Sequence, residues 1–295
     1  MTTAPTPLRL RPMPLSELLD ELFRMYRRNF ALVATTALAL EIPALLFNFL
    51  TGQFRSIGFF FDLFANSANP DRLAAMTPPR SNPVYLVIGY AVLLLLLPIS
   101  TGLLLRVTTD VAMGRPTNLI GALQRTARRY LSLAAFDLMG GLAGLAVAAV
   151  IVMVVVAGVA LGSQGQGNAL VIVLTVLLAI GLGAAALVGA AWIGVRLLVV
   201  VPAMLEEEVG PIAAIRRSWA LVRGNFWRMV GIMLIVYVLG QAVRSALSGV
   251  LLLLVFVVPG LSGEARGGLL LLALAAVEVL TTPIFAIAVT LLYFD

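Results

Sequence analysis

The stretch SWALVRGNFWRMV at residues 218–230 decides the fold, because the same step occurs earlier in FRMYRRNFALV at residues 23–33. Both stretches place an Arg-x-Asn-Phe step directly before a long apolar run. The arginine can bind a lipid phosphate, the asparagine can satisfy backbone groups where the chain turns, and the phenylalanine begins a hydrocarbon segment. We therefore predict that each step is an elbow between a helix on the membrane surface and a helix that crosses the membrane.

The apolar runs of the chain are long enough to cross a membrane. Of its 295 residues, 61% are hydrophobic and 12% are charged, whereas about a quarter of the residues in soluble domains are charged. A run of about 20 apolar residues spans the ~30 Å hydrocarbon core as a helix. We predict six spans, at residues 30–50, 84–106, 131–161, 169–201, 227–258 and 267–292. The first run has full length and no small-residue cleavage site after it, so we expect no secretory signal peptide.

Arginine is distributed unevenly between the two sides of these spans. One side carries fifteen arginines: Arg9, Arg11, Arg24, Arg27, Arg28, Arg106, Arg115, Arg125, Arg128, Arg129, Arg196, Arg216, Arg217, Arg223 and Arg228. The other side carries four: Arg55, Arg72, Arg80 and Arg266. Because basic connections stay in the cytoplasm, both termini are predicted to be cytoplasmic. The outer connection at residues 51–82 is rich in Asn, Pro and Ser, so we expect it to form turns rather than a domain.

Three segments on the cytoplasmic side share one sequence pattern. Residues 14–30, 116–131 and 211–226 each begin with proline, and their apolar residues recur at helical spacing with arginines on the opposite face. We predict three amphipathic helices in the inner interface of the membrane, with anionic lipids as partners. The arginines predicted to bind lipid phosphates are Arg24, Arg27, Arg28, Arg125, Arg128, Arg129, Arg216, Arg217 and Arg223. Among them, Arg27, Arg128 and Arg223 occupy matching positions.

The segments divide the chain into three repeats of an interfacial helix followed by a transmembrane hairpin, at about residues 14–110, 116–205 and 211–295. A second match supports this division, since PISTGLLLRVTTD at residues 98–110 and PIFAIAVTLLYFD at residues 283–295 both place Asp twelve residues after Pro. The predicted fold class is an all-α polytopic helical membrane protein with six transmembrane helices. We expect residues 1–295 to form a single integral membrane domain.

Several residue types that catalysis commonly uses are missing from the chain. It has no Cys and no His, and all 20 of its basic residues are Arg. These absences exclude thiolate nucleophiles, zinc–thiolate sites, imidazole bases and Schiff-base lysines. We expect no cofactor and no metal site. The net charge of +6 is assigned to membrane orientation and anionic lipid rather than to nucleic acid.

The acidic triplet Glu206, Glu207 and Glu208 precedes the third interfacial helix. Three consecutive carboxylates do not converge on one face of a helix, which argues against a metal site. We interpret the triplet as acidic residues that favour the positive end of the helix dipole.

Five ionisable residues lie within the predicted spans, where unpaired charges are costly and functional sites are common. They are Glu41, Asp137, Arg196, Arg244 and Glu278. Asp137 and Arg196 lie near the cytoplasmic ends of neighbouring spans, so we expect an ion pair between them. Arg244 and Glu278 lie at similar depths in spans 5 and 6, which predicts a second ion pair. The alternative is that Glu278 faces Glu41 across a wet cavity and binds a proton or another cation.

Small residues recur every four positions in spans 3 and 4, at Gly140 and Gly144 and at Gly181, Ala185 and Gly189. Faces of this kind let helices approach closely in membranes. We therefore interpret them as helix-packing faces.

Three segments together resemble a known bacterial family: RPMPLSELLDELFRMYRRNFALV at residues 11–33, VVVPAMLEEEVGPIAAIRRSWALVRGNFWRMVGIMLIV at residues 199–236, and the closing LLYFD. The family is the membrane domain that precedes the catalytic domain of some glycerophosphoryl diester phosphodiesterases and that also occurs alone. The resemblance implies a multi-pass protein of the bacterial cytoplasmic (inner) membrane. It implies no phosphodiesterase activity, because that chemistry belongs to a soluble barrel domain that is absent here. Family members continue into a basic tail, so a native tail is expected to follow Asp295.

Three classes of function remain open. The first is a non-enzymatic scaffold or partner subunit at the inner leaflet, which interacts with lipid or with a membrane or cytoplasmic protein. The second is a transporter or carrier of a small molecule, an ion or a lipid that uses the charges within the spans. The third is an intramembrane enzyme that uses Glu41 or Glu278, but no protease motif, histidine box or nucleophile elbow is present. We favour the scaffold and expect no enzymatic activity.

Overall fold

The computed structural model describes residues 14–80, 82–164 and 169–295, and every regular element within these ranges is a helix. In chain order the helices are α1 (Leu15–Arg28), α2 (Phe30–Leu50), α3 (Gln53–Ala65), α4 (Pro70–Ala75), α5 (Pro83–Ala112), α6 (Leu119–Ala127), α7 (Tyr130–Gln164), α8 (Ala169–Leu197), α9 (Val200–Glu206), α10 (Pro211–Val222), α11 (Phe226–Val257) and α12 (Gly263–Phe294).

Six helical stretches are long and apolar enough to cross a membrane. They are Phe30–Leu50, Pro83–Ala112, Tyr130–Ala157, Val173–Glu206, Phe226–Val257 and Gly263–Phe294. Each contains most of one span expected from the sequence, so the prediction of an all-α polytopic fold is confirmed. The fourth stretch is interrupted, since α8 ends at Leu197 and the short α9 follows it, buried at every residue except Glu206.

Contacts between the helices divide the chain into two units. One comprises the residues up to Tyr130 together with Gly231–Asp295, and the other comprises Leu131–Val230. The first unit therefore contains α1 to α6, α12 and most of α11, while the second contains α7 to α10 and the first residues of α11. The single domain and its three repeats stay predictions.

The core of the first unit forms where α2, α5 and α12 meet. One buried apolar residue from each helix lies at this contact: Val33, Leu104 and Ala286. One turn further along, Thr108 and Thr290 share a hydrogen bond of 2.7 Å between α5 and α12. Both α5–α12 pairs are separated by the same 182 residues, so these two helices run parallel.

The connection at residues 51–82 contains helices α3 and α4, so the expectation of turns was wrong. Helix α3 packs against the start of α12, where Phe61 joins Val255 and Leu270 in a buried apolar cluster. The two helices approach closely at glycine, since a methyl group added to Gly267 would overlap the backbone oxygen of Phe54. The phenylalanine-rich part of the connection is thus helical because it packs against α12. Turn signals in the local sequence carry no information about such a distant contact.

Replacing Gly267 by alanine is expected to destabilise the protein by about 1–3 kcal/mol, because the added methyl group meets backbone that cannot yield easily. Gly268 is the matched control, since the nearest atom to a methyl group there is a ring carbon of Phe49 at 4.0 Å. Both changes share the same gain in helix propensity. Thermal unfolding of the purified variants in detergent measures the difference. Equal midpoints would contradict the close contact between α3 and α12.

Helices α1, α6 and α10 lie in the three segments for which the sequence predicts interfacial helices. Each is separated by one to three residues from the span that follows it, so a helix break occurs at both predicted elbows. The equivalent junction of α6 with α7 also has a break, and we name it an elbow as well. At the first elbow, the Asn29 side chain donates a hydrogen bond of 3.0 Å to the carbonyl of Met25. The asparagine thus satisfies a backbone group at the turn, as predicted.

The apolar face of α1 is buried in the protein, whereas lipid was expected to cover it. Leu18 and Leu22 are at most 1% exposed, and the Tyr26 hydroxyl donates a hydrogen bond of 2.8 Å to the carbonyl of Leu280 on α12. Burial raises the pKa of Tyr26, which keeps this hydroxyl protonated and able to donate. An amphipathic pattern does not distinguish the two environments, because lipid and protein core are both apolar.

The small-residue faces of α7 and α8 do not pack against another helix of their own unit within the described residues. A methyl group added to Gly140, Gly144, Gly181 or Gly189 would meet no other atom within 4 Å. The interpretation of these faces as helix contacts is therefore wrong for the described residues of this unit. Small residues permit a close approach between helices, but they supply little attraction of their own.

Candidate functional site

Arg244 and Glu278 form the ion pair that the sequence predicts between α11 and α12. The Arg244 Nη2 atom donates to Glu278 Oε2, and each side chain is slightly more than one third exposed. Thr282 Oγ1, one turn after Glu278, donates a second hydrogen bond to the same oxygen at 3.1 Å. The Glu278 carboxylate is thus held by a cation and a hydroxyl group.

Glu41 lies at the same level as this ion pair. Helices α2 and α12, the first and sixth spans, run in opposite directions and meet at Val33 and Ala286. Glu41 follows Val33 by eight residues and Glu278 precedes Ala286 by eight, so both lie about 12 Å along their helices from this contact. Glu41 interacts electrostatically with both Glu278 and Arg244. We name these three residues the central charge cluster.

In the central charge cluster, Glu278 pairs with Arg244 and also lies within electrostatic range of Glu41, although the sequence indicates these two arrangements as alternatives. The cluster therefore contains two carboxyl groups and one guanidinium group on three different spans. The wet cavity between Glu41 and Glu278 stays a prediction.

Arg196 is enclosed by aromatic rings of the second unit. Its Cζ atom lies 4.3 Å from the ring centre of Trp192, 4.4 Å from that of Trp219 and 5.6 Å from that of Phe226. Contacts of this kind contribute about 0.5–2 kcal/mol each. Ser218 also donates a hydrogen bond of 2.7 Å to the carbonyl of Arg196. This aromatic cage holds the end of α8 against α10 and the start of α11.

The predicted ion pair between Asp137 and Arg196 is wrong. Within the part of the chain that the structure describes, Arg196 contacts rings, and the Asp137 Oδ2 atom is shielded without a hydrogen-bond partner. Similar depth in two spans does not determine in which direction the side chains point around the helix axes. The sequence signal for this contact was Trp192. It lies four residues before Arg196 and therefore on the same helix face.

Asp110, at the end of α5, forms a buried ion pair that the sequence analysis did not find. Its side chain is 0% exposed, and Arg125 donates to its two carboxylate oxygens at 2.6 and 3.4 Å. Arg115 lies 3.7 Å from the same carboxylate. The assignment of Arg125 to a lipid phosphate is therefore wrong, because its guanidinium group joins α6 to α5. The sequence signal for this pair is the Asp that ends PISTGLLLRVTTD, which by itself indicates only a repeat.

Two other arginines assigned to lipid also pair within the protein. Arg24 pairs with Glu21 of the same helix, and Arg217 donates to Glu207 at 2.9 Å. The second pair places Glu207, one member of the acidic triplet, against the side of α10. Glu207 therefore pairs with a side chain of that helix, whereas an interaction with its dipole was expected.

A third group of these arginines remains exposed. Four of them make no side-chain ion pair or hydrogen bond to any residue that the structure describes: Arg27, Arg128, Arg216 and Arg223. The remaining two, Arg28 and Arg129, interact within the protein. The exposed group contains all three arginines at matching positions of the predicted repeat. Each of these three lies at the end of its interfacial helix, where a span is about to begin.

The fold and these groups define the chain as a multi-pass helical membrane protein with charged elbows and a charge cluster within its spans. The chain belongs to the family described as "Domain of unknown function (DUF7847)", whose model matches residues 13–294. Comparisons with curated proteins and with solved structures found no match. The resemblance to the membrane domain of glycerophosphoryl diester phosphodiesterases stays an expectation.

Proposed function

We propose that this protein is a non-enzymatic scaffold of the bacterial cytoplasmic membrane that binds anionic lipid at the inner leaflet. Both termini lie in the cytoplasm in this proposal, because fifteen arginines occur on one side of the spans and four on the other. Because the six spans alternate in direction, the N-terminal segment with α1 and the connections with α6 and α10 all lie on the cytoplasmic side. The proposal includes no catalysis, consistent with the absence of Cys, His and Lys.

The observation that carries the proposal is the exposure of Arg27, Arg128 and Arg223 at three equivalent elbows. Their guanidinium groups have no partner among the described residues, although carboxylates elsewhere in the chain bind Arg24, Arg125 and Arg217. An elbow lies where lipid phosphates are concentrated, and a guanidinium group can bind a phosphate through two parallel hydrogen bonds. We infer that each elbow binds the phosphate of one anionic lipid.

Replacing Arg27, Arg128 and Arg223 together by glutamine is expected to weaken the binding of phosphatidylglycerol about 5-fold at each elbow. This estimate takes about 1 kcal/mol for each arginine near an anionic surface. The full chain is purified in detergent and titrated with phosphatidylglycerol or phosphatidylcholine, and native mass spectrometry counts the bound lipids. Raising the salt concentration should weaken the binding of phosphatidylglycerol to the unmodified protein.

The matched control replaces Arg55, Arg72 and Arg80 by glutamine. It removes the same charge from the opposite side of the spans, so it should leave the binding of phosphatidylglycerol nearly unchanged. An equal loss in both triple variants would show that only net charge matters. Equal affinity of the unmodified protein for the two lipids would also contradict the proposal.

A scaffold also needs a surface for a partner, and α7 and α8 supply a candidate. Residues 138–150 of α7 are all exposed, and so are most of the residues whose burial is described in the apolar part of α8. We propose that lipid or a membrane protein partner covers these apolar helices, because a cytoplasmic partner could contact only their ends.

A carrier of a small molecule, an ion or a lipid is the second candidate function. The observation that favours it is the central charge cluster, because ionisable groups within spans commonly mark transport pathways. Uptake of a substrate by proteoliposomes that contain the full chain, and its loss in Glu278→Gln, would support this function over the scaffold.

A further inference from the structure

The central charge cluster has an unbalanced charge. Arg244 carries one positive charge, and Glu41 and Glu278 carry two negative charges when both are ionised. The ion pair between Arg244 and Glu278 leaves the Glu41 carboxylate without a cation of its own. A net negative charge within a span is unfavourable, because the surrounding hydrocarbon does not solvate it.

No other ionisable side chain of the helices packed against α2 offers a cation at this level. On α5 the charged groups are Arg106 and Asp110, and on α3 they are Arg55 and Asp62, at opposite ends of the span. The charged groups of α1 precede the start of α2. The other charged groups of α12 lie at its two ends: Glu264, Arg266 and Asp295. Within the described residues, Glu41 interacts electrostatically with Glu278 and Arg244 alone.

We propose that Glu41 and Glu278 form a binding site for one proton, which they share while Arg244 pairs with whichever carboxylate is ionised. The proton adds to a carboxylate oxygen, so one carboxyl group becomes neutral and the other keeps its ion pair with Arg244. The net charge of the cluster then rises from minus one to zero. The site is distinct from the elbows and goes beyond the scaffold function.

A proton fits this site better than a metal cation does. Alkali and alkaline-earth cations need several oxygen ligands, and the Arg244 guanidinium group repels them. The hydroxyl group of Thr282 already donates its hydrogen to Glu278. Arg244 and Glu278 are each more than one third exposed, so the protein itself does not enclose the cluster and does not block the exchange of a proton.

Infrared difference spectroscopy of the full chain in lipid nanodiscs tests the proposal. The protein carries the substitution Asp137→Asn, since the Asp137 carboxyl group lies within a span with its Oδ2 atom shielded and would add its own signal. We expect a protonated-carboxyl band at neutral pH that disappears as the pH is raised. Glu41→Gln should abolish the band, because Glu278 is then the one carboxyl group of the cluster and stays ionised in its ion pair with Arg244. Glu278→Gln should also abolish it, because Glu41 then pairs with Arg244.

The control is Asp71→Asn, which removes an exposed carboxylate from α4 and should leave the band in place. Each glutamine has nearly the same shape as the glutamate that it replaces, so the variants should fold. If they do not, the spectrum of the Asp137→Asn protein still decides. The proposal is overturned if that protein shows no titrating carboxyl band. It is also overturned if the band survives both glutamine substitutions, or if sodium or potassium ions remove it at constant pH.

Discussion

Arg244→Leu is expected to destabilise the protein more than the double change Arg244→Leu with Glu278→Leu. The single change leaves Glu41 and Glu278 as two carboxyl groups without a cation, at one level of the spans. An unpaired charge at the centre of a span costs about 2.5–3.5 kcal/mol on insertion scales. The double change leaves only Glu41, which a single proton neutralises.

Glu278→Leu alone should destabilise less than Arg244→Leu alone, because Arg244 can then pair with Glu41. This asymmetry follows from three groups in the cluster and would not follow from an isolated ion pair. We expect a coupling free energy of about 2–3 kcal/mol between the two positions. Unfolding of the four proteins in mixed micelles with increasing dodecyl sulfate measures the free energies.

Arg55 and Glu264 provide the control for this cycle. They form a salt bridge of 3.4 Å between α3 and α12, and their side chains are 58% and 64% exposed. An exposed pair of this kind contributes about 0–1 kcal/mol, so its coupling should be small. Additive effects at Arg244 and Glu278 would show that the central ion pair contributes nothing to stability.

Arg125→Ala is expected to lower the free energy of unfolding by about 3–5 kcal/mol, because it leaves a fully buried carboxylate without its main partner. Asp110 is 0% exposed, and Arg125 binds both of its carboxylate oxygens. Arg115 cannot replace it well, since its own guanidinium group lies 3.7 Å away and is 42% exposed. The ion pair therefore connects α6 to the end of the second span.

Arg115→Ala is the matched control and should cost only about 0–1 kcal/mol, as is usual for an exposed cation. Asp110→Ala should cost less than Arg125→Ala, because the remaining Arg125 is 38% exposed and can reach water. The same micelle titration gives all three values. Equal losses for Arg125→Ala and Arg115→Ala would mean that Asp110 is not held mainly by Arg125.

The spans and the helix breaks at the elbows were predictable from local sequence, and so was the pair of Arg244 with Glu278. A span needs about 20 apolar residues, and this requirement is visible without any knowledge of packing. The connection between α11 and α12 is short, so counting residues inward from it places Arg244 and Glu278 at nearly one depth.

Helix α3 shows where local reasoning fails. Asn, Pro and Ser around the segment indicate turns, yet Phe61 and the close approach at Gly267 place a helix against α12. The stabilising contact comes from residues about two hundred positions away in the chain. Propensity and turn signals describe only neighbours in sequence, so they cannot report such a contact.

The sequence by itself determined which segments enter the membrane and at what depth their charges lie, because hydrocarbon selects strongly against polar groups over a length of about 20 residues. Only the tertiary structure decided which partner each arginine takes. Arg125 was expected to bind lipid but pairs with Asp110, and Arg196 was expected to pair with an acid but lies among aromatic rings. Several partners lie within reach of a long arginine side chain, and helix rotation and packing select among them.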